Sequence, residues 1–367
     1  MHLVVGLIGA ALIALVLAEF FVSFLLPRRV KRDPRIARQI YTVAWPVWRW
    51  LANRLPRTAR DTMLGLFGPL ALLAMLGLWA FGLVVGYACL HWAAGSKLGP
   101  GGTTVAFGND LYYSAGAFFS ATTNLAAHTP FAHTLNIFEA ATGFAVLFIA
   151  IGYLPALFQA FSRREVAVSQ LDPRAGSPPT AGALLLHSAG RGGWEDLDGY
   201  LEEWENWAAE LMETHLSYPV LGYFRSQHLN QNWLAALTTI LDTSAFTMVA
   251  GAEKASRTAQ LTFAIGRHAI ADLAFAFHTR TAPPEGDRLS REALAQLCED
   301  LEQAGLAIEH RQGLHAELEE LRESYEPYAR ALSRKLALPL PDWLPPEELE
   351  ANWQRASAQR RGRSLLH

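Results

Sequence analysis

Seven consecutive residues, Thr122, Thr123, Asn124, Leu125, Ala126, Ala127 and His128, set two hydroxyls, a carboxamide and an imidazole into a short polar turn between long apolar runs. Hydroxyl and amide oxygens are weak ligands for hydrated ions, and an imidazole changes charge near neutral pH. The chemistry this pattern offers is ion coordination. A second polar set, His215, Arg225, His228, Asp242, Arg267, His268 and Asp272, lies in the later half of the chain. His268 and Asp272 stand four residues apart and share one face of a helix. Such a set suits an anionic ligand or a metal that controls a gate, or serves as a satisfied network tying buried helices together. There is no nucleophile elbow, phosphate loop or helical His-Glu zinc motif, so enzyme chemistry has no support and no cofactor is expected. The two cysteines, Cys89 and Cys298, have no metal-ligand spacing and give no disulfide framework.

The elements that must position these residues divide the chain by charge. Of 31 Lys and Arg and 34 Asp and Glu, 11 and 5 lie up to Ser162, and 20 and 29 follow it. A basic, apolar first half thus precedes an acidic second half, the pattern of a membrane part followed by a soluble part. Three segments, roughly Leu3–Leu26, Met63–Trp92 and Leu135–Phe161, reach the ~20 apolar residues needed to cross a bilayer. The first lacks a basic start and a clear cleavage site and reads as a retained anchor. Ten Lys and Arg and one acid between Arg28 and Arg60 mark that loop as cytoplasmic. The amino terminus and the Gly95–Asn109 segment are then outside, the carboxy terminus inside, and the polar turn dips from outside. Ile36–Leu55, with Trp45, Trp48 and Trp50, reads as an amphipathic helix in the headgroup layer. It serves as an anchor or as a sliding element coupled to a gate.

The stretch Asp110 to Glu165, DLYYSAGAFFSATTNLAAHTPFAHTLNIFEAATGFAVLFIAIGYLPALFQAFSRRE, orders a short small-residue helix, a polar turn and a long apolar helix. That order resembles the pore module of two-transmembrane pore-loop potassium channels. The first span, basic loop and helical second half also look like bacterial potassium channel-like proteins with a helical cytoplasmic domain. The resemblance implies a homotetramer in the bacterial cytoplasmic membrane, with inorganic ions and lipid as partners and no nucleic acid. It places a filter at Thr122–His128. It puts a hinge and gate at Gly143, Gly152, Pro155 and Phe158, with Leu154, Leu157 and Phe161 as further constriction candidates.

The filter itself departs from the family. Where those channels carry Thr-Val/Leu-Gly-Tyr-Gly-Asp, this chain has Thr122-Thr123-Asn124-Leu125-Ala126-Ala127. Asn124 and Ala126 replace the two glycines, and a left-handed Ala costs about 1–2 kcal/mol, so Ala126 is expected in another conformation. The aromatic cuff and the outer carboxylate ring are also missing. The expectation is a weakly selective or anion-tolerant pore gated by the cytoplasmic domain, with a non-conducting sensor or scaffold as the alternative.

The expected fold is an all-α membrane protein with three transmembrane helices, a re-entrant pore helix and filter loop, and a cytoplasmic α-helical bundle. The expected divisions are 1–60 for the first span and interfacial helix, 61–165 for the pore module, 166–194 for a linker and 195–367 for the cytoplasmic domain. Asp110 is placed to cap the pore helix through Ala121. Glu139 and Glu19, carboxylates within spans, need a partner or water because such groups are expensive there. Helices are expected over Glu195–Leu216, Leu229–Ala250, Ala255–His278, Ser290–Gln303 and Arg311–Leu336, with a last short helix after Pro339–Pro346 and a basic tail.

Overall fold

A computed structural model describes residues 1–24, 36–104, 106–228, 230–251, 253–281, 286–308 and 313–345. The described residues are helix, turn and coil without a strand. They divide into two compact units, Met1–Phe158 and Gln159–His367. The basic run at Arg28–Arg32 and the tail after 345 lie outside the described residues, as does the short helix expected there.

In the first unit, α1 (His2–Phe24) lies along α3 (Arg57–Ala93). The pairs Gly6 with Ala93, Gly9 with Gly86, and Val16 with Gly82 run in opposite order along the two helices, so the helices are antiparallel. A Cβ on Gly9 would stand 2.6 Å from the Gly86 carbonyl oxygen. Small residues let helices of this kind approach closely. Phe20 and Trp79 close the far end edge to face, ring centroids 5.4 Å apart.

Helix α2 (Ile36–Ala52) is the amphipathic segment. Trp45 is buried against Phe67 at 4.8 Å, and Trp48 Nε1 donates to Met63 O at 2.8 Å. Val43, Val47, Trp50 and Leu51 remain exposed on the other side. The helix thus offers a second apolar face, as expected of one lying in a headgroup layer.

Helices α1, α3 and α5 (Pro130–Ala175) are long and apolar enough to cross a membrane. A fourth apolar helix, Trp233–Ala250, meets the same length and composition test, but 94% of it is buried inside its own unit.

Two sequence expectations are corrected along α5. The helix does not end with the expected span Leu135–Phe161 or with the expected pore module at 165; it runs to Ala175. The segment from Asp172 to Gly193 is not a linker. After α5 ends, Thr180 caps α6 (Ala181–Ala189) through Ala183 N–H, and Ala181, Leu184 and Leu185 are fully buried. The Gly- and Pro-rich flanks disguised a core helix whose Gly182 N–H donates to Trp343 O at 2.8 Å.

The second unit is a bundle around α8 (Trp233–Ala250), in which every residue except Met248 is buried. That explains a helix apolar on all sides. Around it stand α6, α7 (Trp194–Ser217), α9 (Glu253–Ala276), α11 (Leu314–Glu323) and α12 (Glu326–Leu336). Helix α10 (Arg291–Gln303), capped by Ser290, packs on α6. Expected as one helix, Arg311–Leu336 is broken at Ser324–Tyr325, where Pro327 enters the first turn of α12. Proline has no N–H to donate there and does not continue the preceding helix.

Candidate functional site

The short helix preceding the polar turn is α4 (Phe107–Phe118). It starts a turn earlier than expected, with Ala106 at the cap and no side-chain cap bond. Asp110 is therefore a buried first-turn acid, where the helix dipole favours negative charge, and not the cap. The helix ends before Ala121. Ser120 takes a left-handed φ of 53°, and Ala121 N–H reaches back to Gly116 O at 2.8 Å, a Schellman-type stop.

Tyr113, Ser114, Gly116 and Phe118 are buried, so α4 is enclosed on one side by its neighbours. The Tyr113 ring meets His91 of α3 edge to face at 5.2 Å. Gly143 of α5 touches the Phe118 carbonyl so closely that any Cβ there would collide with it. Gly143 therefore has a packing reason that the hinge expectation did not foresee. Gly152, by contrast, has open space where a Cβ would stand, and α5 runs unbroken through Pro155. Of the constriction candidates, Leu157 is fully buried and Phe158 is half-exposed.

Residues 121–129 have no helix. The turn folds back on α4, with Thr123 lying against Gly116 where a larger residue would collide. Thr123 Oγ1 donates to Leu125 O at 3.1 Å, and Ala126 N–H donates to Leu98 O at 3.2 Å. Neither Asn124 nor Ala126 takes a positive φ. The left-handed alternation that glycines permit is therefore absent from this turn, in keeping with the cost of a left-handed Ala. Thr122, Asn124, Ala126 and His128 are exposed, and Thr123, Leu125 and Ala127 are half-buried. His128 and Lys97 both lie beside Gly102, where a Cβ would meet them at 3.7 and 3.9 Å. Two basic side chains thus flank one end of the turn.

Sequence reasoning left Glu139 without a partner; the structure supplies His91. Both are fully buried, with Nε2 3.6 Å from Oε2. His91 Nδ1 lies 3.0 Å from Ser96 Oγ. Tyr87 Oη and Thr142 Oγ1, 2.8 Å apart, join the same two helices one turn away. The available signal was an imidazole inside an otherwise apolar run, four residues after Tyr87. Glu19 is buried as well.

The second polar set does not converge. His215 is buried and receives Arg164 Nη1 at 3.0 Å on Nε2, while its Nδ1 lies 2.9 Å from Leu211 O. Arg164 also donates to Leu221 O at 2.9 Å and Phe224 O at 3.0 Å. Burial pushes the His215 imidazole well below its usual range, and the nearby Arg164 charge adds to this. Asp242 pairs with Arg288, Nη1 to Oδ1 at 3.2 Å, and accepts from Tyr325 Oη. Arg288 reaches Glu326 as well, at 3.0 Å. Burial opposes the Glu326 charge, yet Arg288 and Arg322 hold its carboxyl below the usual carboxylate range. Arg225 is spent on the carbonyls of Ala337 and Leu336, each at 2.8 Å.

His268 and Asp272 do pair, at 3.6 Å, but on the surface. His228 is exposed. Arg267 lines a surface groove of ≈ 510 Å³ with Met248, Phe263, Glu317 and Glu320. The set is three separate structural contacts and an exposed remainder. Among the described residues no three His, Cys, Asp or Glu side chains come together to hold a metal.

Comparison with known protein families, with curated proteins and with solved structures finds no match.

Proposed function

We propose that this chain is the subunit of a homotetrameric pore-loop ion channel in the bacterial cytoplasmic membrane. Its amino terminus is outside, and its helical second unit is cytoplasmic. Helix α3 is the outer helix, α4 a re-entrant pore helix, residues 122–128 the filter loop and α5 the inner helix. The observation that carries the reading is that α4, which leads straight into the irregular turn, is packed between two membrane-length helices, at His91–Tyr113 and Gly143–Phe118. Irregular backbone at membrane depth is tolerated only where protein or a water-filled cavity surrounds it. The exposed Thr122 and Asn124 are then the groups left for a path shared between copies.

Selectivity follows from what the turn offers. Carbonyls aimed at an axis replace an ion's hydration shell in a potassium filter, and that requires backbone dihedrals this turn does not adopt. The pore passes hydrated ions with weak selectivity, and Lys97 and His128 at one end favour anions over a carboxylate-ringed mouth. Helix α2 anchors the cytoplasmic side in the headgroup layer.

One observation favours a non-conducting scaffold instead: Thr123 Oγ1 and Ala126 N–H are already spent on Leu125 O and Leu98 O within one chain. Planar-bilayer recording of the purified full-length protein decides between the two. The channel reading expects single-channel currents whose reversal potential moves with both the cation and the chloride gradient. Reversal potentials that follow potassium alone overturn the weak-selectivity claim, and the absence of current under every gradient favours the scaffold.

A further inference from the structure

Glu139 and His91 Nε2 are fully buried with no ideal hydrogen bond to each other, and the Ser114 hydroxyl is directed at the Glu139 carboxyl. His91 and Glu139 face each other from α3 and α5 at 3.6 Å, and Ser114 of α4 faces the same carboxyl. Three helices thus converge on a buried polar cluster that is incompletely paired, although buried polar atoms are normally paired.

The geometry restricts what can occupy it. A water bridging Nε2 and Oε2 through two hydrogen bonds of about 2.8 Å each would hold them roughly 4.5 Å apart. At 3.6 Å the gap is too narrow for water and slightly too long for a relaxed direct bond. The two atoms therefore face each other directly, and the protonation of one decides whether the contact attracts or repels.

Charge accounting agrees. If His91 Nδ1–H donates to Ser96 Oγ, Nε2 presents a lone pair to the carboxyl, and a proton must sit on one of the two facing atoms. If Ser96 donates instead, Nε2–H faces a carboxylate, and one uncompensated negative charge is buried between apolar helices. Such a charge is costly. One proton beyond the neutral-imidazole, ionised-carboxylate state makes the pair neutral overall, as imidazole beside carboxylic acid or imidazolium beside carboxylate.

We propose that His91 and Glu139 form a buried single-proton site that clamps α4 between α3 and α5, and that loss of the proton loosens α4. Tyr113 couples to it through its ring contact with His91, and Ser114 through the carboxyl. The other titratable groups facing the carboxyl are Tyr87 of α3 and Tyr113 of α4. Asp110, one turn before Ser114, is buried on α4, and His2 of α1 stacks on Trp92 beside His91. None of the four bridges the His91–Glu139 gap. The existence of the site does not depend on conduction; only its effect on current would.

The test uses the full-length protein in lipid, with two readouts that need no current. Infrared difference spectra across a pH titration report the carbonyl stretch of a protonated carboxyl. Hydrogen exchange, corrected for its intrinsic pH dependence, reports the amides of α4. The expected result is a carboxyl band that vanishes in one step as pH rises, is missing in Glu139→Gln, and has its midpoint displaced in His91→Gln. Exchange in α4 rises several-fold over that same step in the native protein and shows no such rise in Glu139→Gln, whose neutral amide keeps the shape. A Glu139 band absent at every pH overturns the site. An α4 exchange profile identical in the native protein and in Glu139→Gln overturns the clamp.

Discussion

Gly143 of α5 rests directly on the carbonyl oxygen of Phe118, the last residue of α4. The contact fixes the end of α4 to α5. Overpacking at such a point typically costs about 1–3 kcal/mol, so Gly143→Ala should lower the thermal midpoint of the purified protein. A Cβ on Gly152 would meet nothing within 4 Å outside its own helix backbone. Gly152→Ala should therefore leave the midpoint unchanged or raise it, because a mid-helix Gly costs about 0.5–1 kcal/mol relative to Ala. Equal responses at the two positions would remove the packing assignment.

The antiparallel α1–α3 seam gives a covalent test. A Cβ on Gly6 would lie 3.0 Å from the Ala93 Cβ, so a separation of about half an ångström more reaches the roughly 3.5–4.5 Å of bridged cysteines. The double variant Gly6→Cys/Ala93→Cys should cross-link under mild oxidation, read as a mobility shift reversed by reductant. Adding Gly86→Leu, which drives a side chain into Ile13 and the Gly9 carbonyl, should suppress the cross-link. Cross-linking unaffected by that third change would mean the helices do not meet there.

The polar residues of the second unit separate energetically. Asp242→Ala takes the buried carboxylate from both Arg288 and Tyr325 and leaves Arg288 only Glu326 and the Pro341 carbonyl; breaking a buried pair costs up to about 3–5 kcal/mol. Asp272→Ala removes only the exposed contact with His268 and should change unfolding by no more than about 0.5 kcal/mol. Denaturant unfolding of the two full-length variants checks the contrast; similar losses would contradict the placement of Asp242 in the core network.

His215 predicts a pH slope with a definite sign. The unfolded imidazole protonates below about pH 6.5, whereas the folded one is held neutral by burial and by Arg164. Its contribution is complete above that value and is lost as pH falls through it, because the unfolded state then binds a proton that the folded state refuses. The thermal midpoint should drop between about pH 7.5 and about pH 5.5, and His215→Gln should flatten that drop. An unchanged slope in the variant would exclude His215 as its source.

Much of the architecture was legible because its signals are periodic or compositional. The apolar runs of α1, α3 and α5, the amphipathic α2 and the all-round apolar α8 followed from residue type alone. What misled was context. Arg163-Arg164-Glu165 reads as the water-exposed end of a helix, yet Arg164 is buried on His215, Leu221 O and Phe224 O, and nothing local announces partners so far along the chain. Leu184 and Leu185 were hidden between glycines and prolines that signal a linker. The candidate site was half visible. The turn at 122–128 stood out as polar between apolar runs, while His91, one imidazole in an apolar helix, gained its meaning only when α5 placed Glu139 opposite it. The polar set of the second unit failed as one site because helical spacing locates residues on a face without saying which face is buried.

The central claim is that several copies of residues 122–128 enclose one aqueous path. Single-channel recording of an Asn124→Cys protein, during addition of a membrane-impermeant cationic thiol reagent, tests it most directly. The native Cys89 and Cys298 serve as the background in the unmodified protein. The account predicts that current through the variant falls in discrete steps, up to four per channel, while the native protein is unaffected. Currents that ignore the reagent, or no currents from either protein, would contradict it.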